Sequence, residues 1–177
     1  MIMKRMVVSM ALVCLACVSA WAGGIKVVSG DKKVFKNAEG SAVLEIVFDG
    51  ATYDDKMPLA ENEKFSDMAS VKKIAMAGFT EYFNKKSKSV KISESADGAK
   101  YKISLQVSKM DQYVKVMGFI PAPATKTWGT LTITDLATGQ VLTTVEVNAV
   151  DGGANPSPDG CISDSFEKIG EEVAKLK

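Results

Sequence analysis

The stretch from Trp128 to Val150 constrains the fold more than any other part of the chain. Gly129-Thr130-Leu131-Thr132-Ile133-Thr134 alternates polar and apolar residues, the chain turns at Asp135 to Gly139, and the alternation returns from Gln140 to Val150. A period of two, rich in Thr and Val and split by a Gly-containing turn, predicts a β-hairpin. Upstream, Tyr101, Ile103, Leu105 and Val107 alternate with Lys100, Lys102, Ser104, Gln106 and Ser108, so the sheet has one apolar and one wet face.

Two helices are predicted to cover the apolar face. Val71, Ile74, Ala75, Gly78, Phe79, Tyr82 and Phe83 recur at three- and four-residue spacing and place a helix over residues 67–86. Ser66 or Asp67 caps its start, and Lys85, Lys86 and Lys88 suit the negative end of its dipole. A second helix is expected near residues 163–176, with Phe166, Ile169, Gly170, Val173 and Ala174 facing inward and Asp164 with Glu167 as a capping pair, after a Gly/Pro-rich linker over 151–160. Ala42 to Phe48 is nearly all apolar, as a strand buried on both faces is, and Lys33-Val34-Phe35 follows a turn at Ser29-Gly30-Asp31. The expectation is an α+β, two-layer sandwich: a mostly antiparallel sheet of about five strands with two helices on one face.

Residues 1–22 read as a leader rather than part of that fold. Lys4 and Arg5 precede an uncharged, mostly apolar run from Met6 to Val18, and Ala20-Trp21-Ala22 supplies the small-x-small site before Gly23. That order predicts a secretory signal cleaved after Ala22, leaving 23–177 as a single domain with no transmembrane span. Lipid attachment at Cys17 is less favoured, because Cys14 stands where an aliphatic residue is wanted. The expected location is the periplasm or outer envelope of a bacterium.

Composition then narrows the chemistry. The 177-residue chain has no histidine and its one arginine, Arg5, lies in the leader. Ser-His-Asp and Cys-His mechanisms are thereby excluded, as is the commonest zinc and copper ligand. Of 22 basic residues two lie in the leader, leaving 20 against 21 acidic, a balance that argues against a nucleic-acid partner. Cleavage also leaves Cys161 as a lone thiol, read as a small buried hydrophobe, with an intermolecular disulfide as the alternative.

Three groups of residues remain as candidates. Asp49, Asp54, Asp55, Glu61 and Glu63 form an acidic loop, read as solvated, with calcium binding or a carboxylate hydrolase as alternatives. Ser87, Ser89, Ser93 and Ser95 lie near lysines but lack a Ser-x-x-Lys context. The segment Tyr113 to Ala124 is apolar and carries two prolines between two strands. It either folds onto the core or meets a partner, with Met117, Phe119, Ile120, Pro121 and Pro123 as the contact residues. No catalytic residue, cofactor or metal ligand is assigned.

Strand Ala42–Phe48, helix 67–86, Tyr101–Val107, the Gly118 loop, the hairpin with Asp135-Leu136-Ala137-Thr138-Gly139-Gln140-Val141-Leu142 and the closing helix together resemble exported bacterial envelope proteins of unknown function, some of them lipoproteins. Their domain looks like the N-terminal α/β domain of TolB and the curli-secretion lipoprotein. The resemblance is architectural and covers most of the chain after the leader. It implies a non-catalytic envelope scaffold or binding module, engaging an envelope protein or another copy of itself, and transfers no site residue.

Overall fold

The computed structural model describes residues 23–176; Lys4, Arg5, Cys14, Cys17 and Ala22 lie outside the described residues, as does the Met117 side chain. The strands are β1 (Gly24–Gly30), β2 (Gly40–Val47), β3 (Thr52–Tyr53), β4 (Met57–Pro58), β5 (Val90–Ile92), β6 (Tyr101–Met117), β7 (Ile120–Asp135) and β8 (Val141–Ala154). The helices are α1 (Met68–Lys86) and α2 (Pro158–Val173). The main sheet runs β1-β8-β7-β6-β2-β5, with β3 joined to β6 and β4 to β3.

This corrects the expected sandwich of about five mostly antiparallel strands. The sheet has eight strands and is mixed: β2 runs parallel to both β5 and β6, and β3 runs parallel to β6. The parallel pairing follows from connectivity. The segment β2-α1-β5 is a strand-helix-strand crossover, and such a connection returns the chain in the same direction. The chain remains α+β in broad terms.

The hairpin of β7 and β8 forms as its alternation demands, with Leu131 opposite Val145 and Ile133 opposite Thr143. Its turn is closed by Asp135, whose carboxylate accepts from the Ala137 and Thr138 N–H groups at 2.9 Å. Gly139 takes the positive φ of 72° that the turn needs. Ile103, Leu105, Val107, Leu131, Ile133, Val145 and Val147 point to one side and pack with Phe79, Phe83, Phe166 and Ile169.

Asp67 caps α1 by accepting from the Ser70 N–H at 3.1 Å. The second helix starts earlier than expected: Ser157 is its cap, Pro158 its first residue, and β8 runs on to Ala154, so only a short connection remains of the expected linker. Ser-Pro is itself a helix-start signal, since proline has no N–H to leave unpaired there. Asp164 therefore lies inside α2, accepting from Asn155 Nδ2 at 2.9 Å.

One further expectation changes. β2 buries only Ala42, Leu44 and Ile46, while Glu45 is exposed on the wet face beside Lys102 at 2.9 Å. Lys33 to Phe35 forms a turn that drops Phe35 into the core, its N–H donating to the Leu176 carbonyl at 2.8 Å and its ring 5.5 Å from Phe83.

Candidate functional site: the arm of β6 and β7

The segment expected as a loop is the far end of a long hairpin. Val114 lies opposite Pro123, Lys115 opposite Ala122, Val116 opposite Pro121 and Met117 opposite Ile120. β8 last pairs with β7 at Ala124 and the Asn155 N–H makes one further bond, to the Pro123 carbonyl; from Ala122 outward the two strands pair only with each other. The ribbon projects about 17 Å past the sheet, five residues at about 3.4 Å each. Gly118 and Phe119 form the tip, with Gly118 at a φ of 64°. Glycine first in a two-residue hairpin loop is a turn signal, and it was the clue in the sequence to a hairpin here.

The prolines do not disrupt the ladder. The Pro123 carbonyl accepts from the Asn155 N–H at 2.9 Å, so that residue's main-chain groups face away from β6. Pro121, two residues earlier, faces the same way. Both nitrogens lie on the outer edge, where a missing N–H costs no bond to β6 and removes donors from a bare strand edge.

Alternation then sorts the side chains. Val114, Val116, Pro121 and Pro123 continue the helix-covered face of the sheet, Pro123 still beneath the start of α2 and the others beyond it. Val114 and Val116 are 66% and 65% exposed, Ile120 is 71% exposed, and Phe119 is fully exposed. Of the five residues expected to meet a partner, Phe119, Ile120 and Pro121 are thus exposed and Pro123 is half-buried under α2.

The root of the arm is clamped on the opposite face. The Tyr113 hydroxyl donates to Asp151 Oδ2, and Lys115 lies 3.2 Å from the same oxygen. Lys126 sits 4.5 Å over the Tyr113 ring, and Lys109 4.3 Å over Trp128. Burial and the Asp151 carboxylate push the Tyr113 hydroxyl up to about 12. Burial alone raises Asp151, but the Tyr113 hydroxyl, the Gly153 N–H and Lys115 outweigh it and hold the carboxyl below its usual range. On the helix side, Gln112 and Thr125 face each other at the root, and Gln112 Nε2 and Thr125 Oγ1 are buried without a partner.

The other candidates do not converge. Asp54 pairs with Lys56, Asp55 lies 2.5 Å from Lys109, and Glu61 and Glu63 are exposed on short helical turns. Among the described residues no three metal-ligating side chains come together. Ser87 is buried as the C-cap of α1, while Ser93 and Ser95 shape the following turn by accepting from Ser95 and Asp97 N–H groups. Cys161 is fully buried, with the Ser157 carbonyl 3.1 Å from its sulfur, and burial pushes its thiol up. Its burial leaves no surface thiol among the described residues for an intermolecular disulfide.

Among the described residues, three cavities of comparable size are found. One of about 740 Å³ lies between the loop 48–60 and the start of α1, and one of about 710 Å³ is lined by Lys126, Asp151, Lys168 and Glu172. The third, about 690 Å³, lies between the flank of α1 and the β2-β5 edge and has the most apolar floor. Among the described residues no helix is long and apolar enough to cross a membrane.

No protein-family model and no curated protein matches the chain. Among solved structures it is similar to a PelC dodecamer from Paraburkholderia phytofirmans, at 17% identity over 85% of this chain and 98% of that one, with a TM-score of 0.43. A point variant of the same PelC gives 18% identity, 87% and 98% coverage and a TM-score of 0.44. A neuraminyllactose-binding hemagglutinin homolog from Helicobacter pylori gives 10% identity, 82% and 83% coverage and a TM-score of 0.36. These likenesses are faint, and nothing about ligand or assembly passes from those proteins to this chain.

Proposed function

We propose that this chain is an exported, non-catalytic module of the bacterial envelope that uses the β6-β7 arm to engage a partner protein or another copy of itself. The observation that carries the reading is the arm: a ribbon paired only with itself from Ala122 outward, ending in a fully exposed Phe119 and a 71% exposed Ile120. A two-stranded ribbon is marginal in water by itself, and clustered apolar side chains at its end mark a contact surface. The clamp through Tyr113 and Asp151 holds the arm out before contact, which lowers the ordering cost of docking. Export is supported by the order of Lys4-Arg5, the apolar run and Ala20-Trp21-Ala22. No observation favours a carboxylate hydrolase, since Asp54 and Asp55 are each held by a lysine.

The test is Phe119→Ser with Ile120→Ser. Both side chains are exposed, so each change should shift unfolding stability by about 0.5 kcal/mol or less. Sedimentation velocity, and capture from envelope extract, should show loss of association. Unchanged association would refute the arm as the contact surface.

A further inference from the structure

We propose that the outer edge of β6 in the arm, at Val114 and Val116, takes up an extended strand of a partner polypeptide, so that the arm grows from two strands to three. The inference rests on the arm being a contact surface, and it adds how the contact is made. Main-chain direction sets the site. The Pro123 carbonyl on β7 and the Met110 carbonyl on β6 both bond away from the ribbon, to the N–H groups of Asn155 and Asp54. Outward and inward residues alternate along a paired strand. Val114 and Val116, at even spacing from Met110 in an unbroken register, therefore also turn their N–H and C=O groups outward. β3 covers this edge as far as Met110, and the Tyr53 hydroxyl donates to the Gln112 carbonyl at 3.4 Å. Among the described residues nothing takes the outward groups of Val114 and Val116.

The two edges of the arm are not equivalent. On β7 the outward nitrogens belong to Pro121 and Pro123, which carry no N–H, and the Pro123 carbonyl is already taken. β6 has no such guard. Its one charge there, Lys115, reaches Asp151 on β8 at 3.2 Å, across β7 and away from the open edge. The terminal edges of the main sheet are protected in other ways. β5 is three residues long, and β1 is broken by a register shift between Val27 and Ser29. The β6 edge stays straight and open, and its alternate N–H and C=O groups match an extended backbone.

Side chains define the partner further. Val114 and Val116 are 66% and 65% exposed, so the added strand carries apolar residues two positions apart to lie beside them. A second copy of this chain fits poorly. In the antiparallel register that sets Val114 against the other copy's Val116, each Lys115 stands directly opposite its counterpart, and like charges there repel. The partner strand thus belongs to a different protein.

Proline supplies the test. At an outward nitrogen it deletes the edge donor without removing a bond to β7, as Pro121 and Pro123 do on the opposite strand. The probe is an acetylated, amidated Thr-Val-Thr-Val-Thr peptide titrated into the isotope-labelled protein and followed by amide NMR. The Val114 and Val116 amide protons should shift downfield, and Val116→Pro should weaken binding at least about tenfold. Val116→Thr keeps the N–H and the strand preference, and should bind within about threefold of the parent. No binding at millimolar peptide, shifts confined to β1 or β5, or a proline variant that binds like the parent would overturn the inference. Should Val116→Pro lose the ribbon's amide pattern, Val114→Pro and the parent's own shift map decide. If strand addition fails while Phe119→Ser with Ile120→Ser still abolishes association, the arm's role as a contact surface stands without it.

Discussion

Asp151, on β8, ties that strand to β6 through one carboxylate. It accepts from Tyr113 on β6, lies 3.2 Å from Lys115, and accepts from the Gly153 N–H at 2.9 Å. Because its folded carboxyl lies below the ordinary value, the stabilisation is present above the usual carboxylate range and is lost as pH falls through the lowered value. Tyr113 has the opposite sign: its contribution is intact below the ordinary value of 10 and disappears as pH rises towards about 12. Tyr113→Phe should therefore move Asp151 upward, read from its carboxyl carbon shift in an acid titration, and should delete the latest tyrosinate step in an alkaline absorbance titration. Cys161 makes a second residue-scale test. Buried and raised in pKa, it should resist a thiol reagent in the native protein and react fully in denaturant. Fast native modification would contradict the burial. The sequence marked Cys161 as a buried hydrophobe from its solitude, but it held no sign of Thr127 and Ser165. Those two hydroxyls meet at 2.8 Å inside the core, and Ser165 donates on to the Val150 carbonyl at 2.9 Å.

At the scale of elements, α1 and α2 approach each other through glycine. A Cβ on Gly170 would lie 2.4 Å from the Phe79 carbonyl oxygen, and one on Gly78 would lie 2.9 Å from the Ser163 carbonyl. Alanine ordinarily gains about 1 kcal/mol over glycine inside a helix. Here the obstacle is backbone, which cannot swing aside, so overpacking at about 1–3 kcal/mol wins. Gly170→Ala should lower the thermal midpoint by several degrees, and an unchanged or raised midpoint would mean the helices are not in such contact. Both glycines were legible as members of the inner stripes, since their spacing matches that of Phe79 and Phe166. The start of α2 was misplaced because the stripe from Phe166 onward is stronger than the single Ser157-Pro158 signal. The arm was misread for a related reason. Prolines usually mark a break in pairing, and only the tertiary ladder shows that Pro121 and Pro123 turn their nitrogens to the free edge.

For the whole molecule, export is the property most directly checked. Protein recovered from the envelope of a bacterial host should have the intact mass of a chain starting at Gly23; a mass starting at Met1, or one with acyl chains on Cys17, would contradict the expected cleavage. What the sequence by itself determined is everything set by short-range periodicity: one apolar and one wet face on the central strands, the inner stripes of both helices, the hairpin turn at Asp135–Gly139, and the absence of histidine chemistry. Those features depend on side-chain spacing within a single element. The tertiary structure alone decided which strands are neighbours, that β2 runs parallel to β5 and β6, and that an eight-stranded mixed sheet replaces the smaller antiparallel one. It also decided that, of Tyr113–Ala124, the stretch from Val114 to Pro121 stands out as an arm instead of folding onto the core. Apolar residues look the same in sequence whether they are covered or bare, and only the place where β8 stops pairing at Ala124 separates the two.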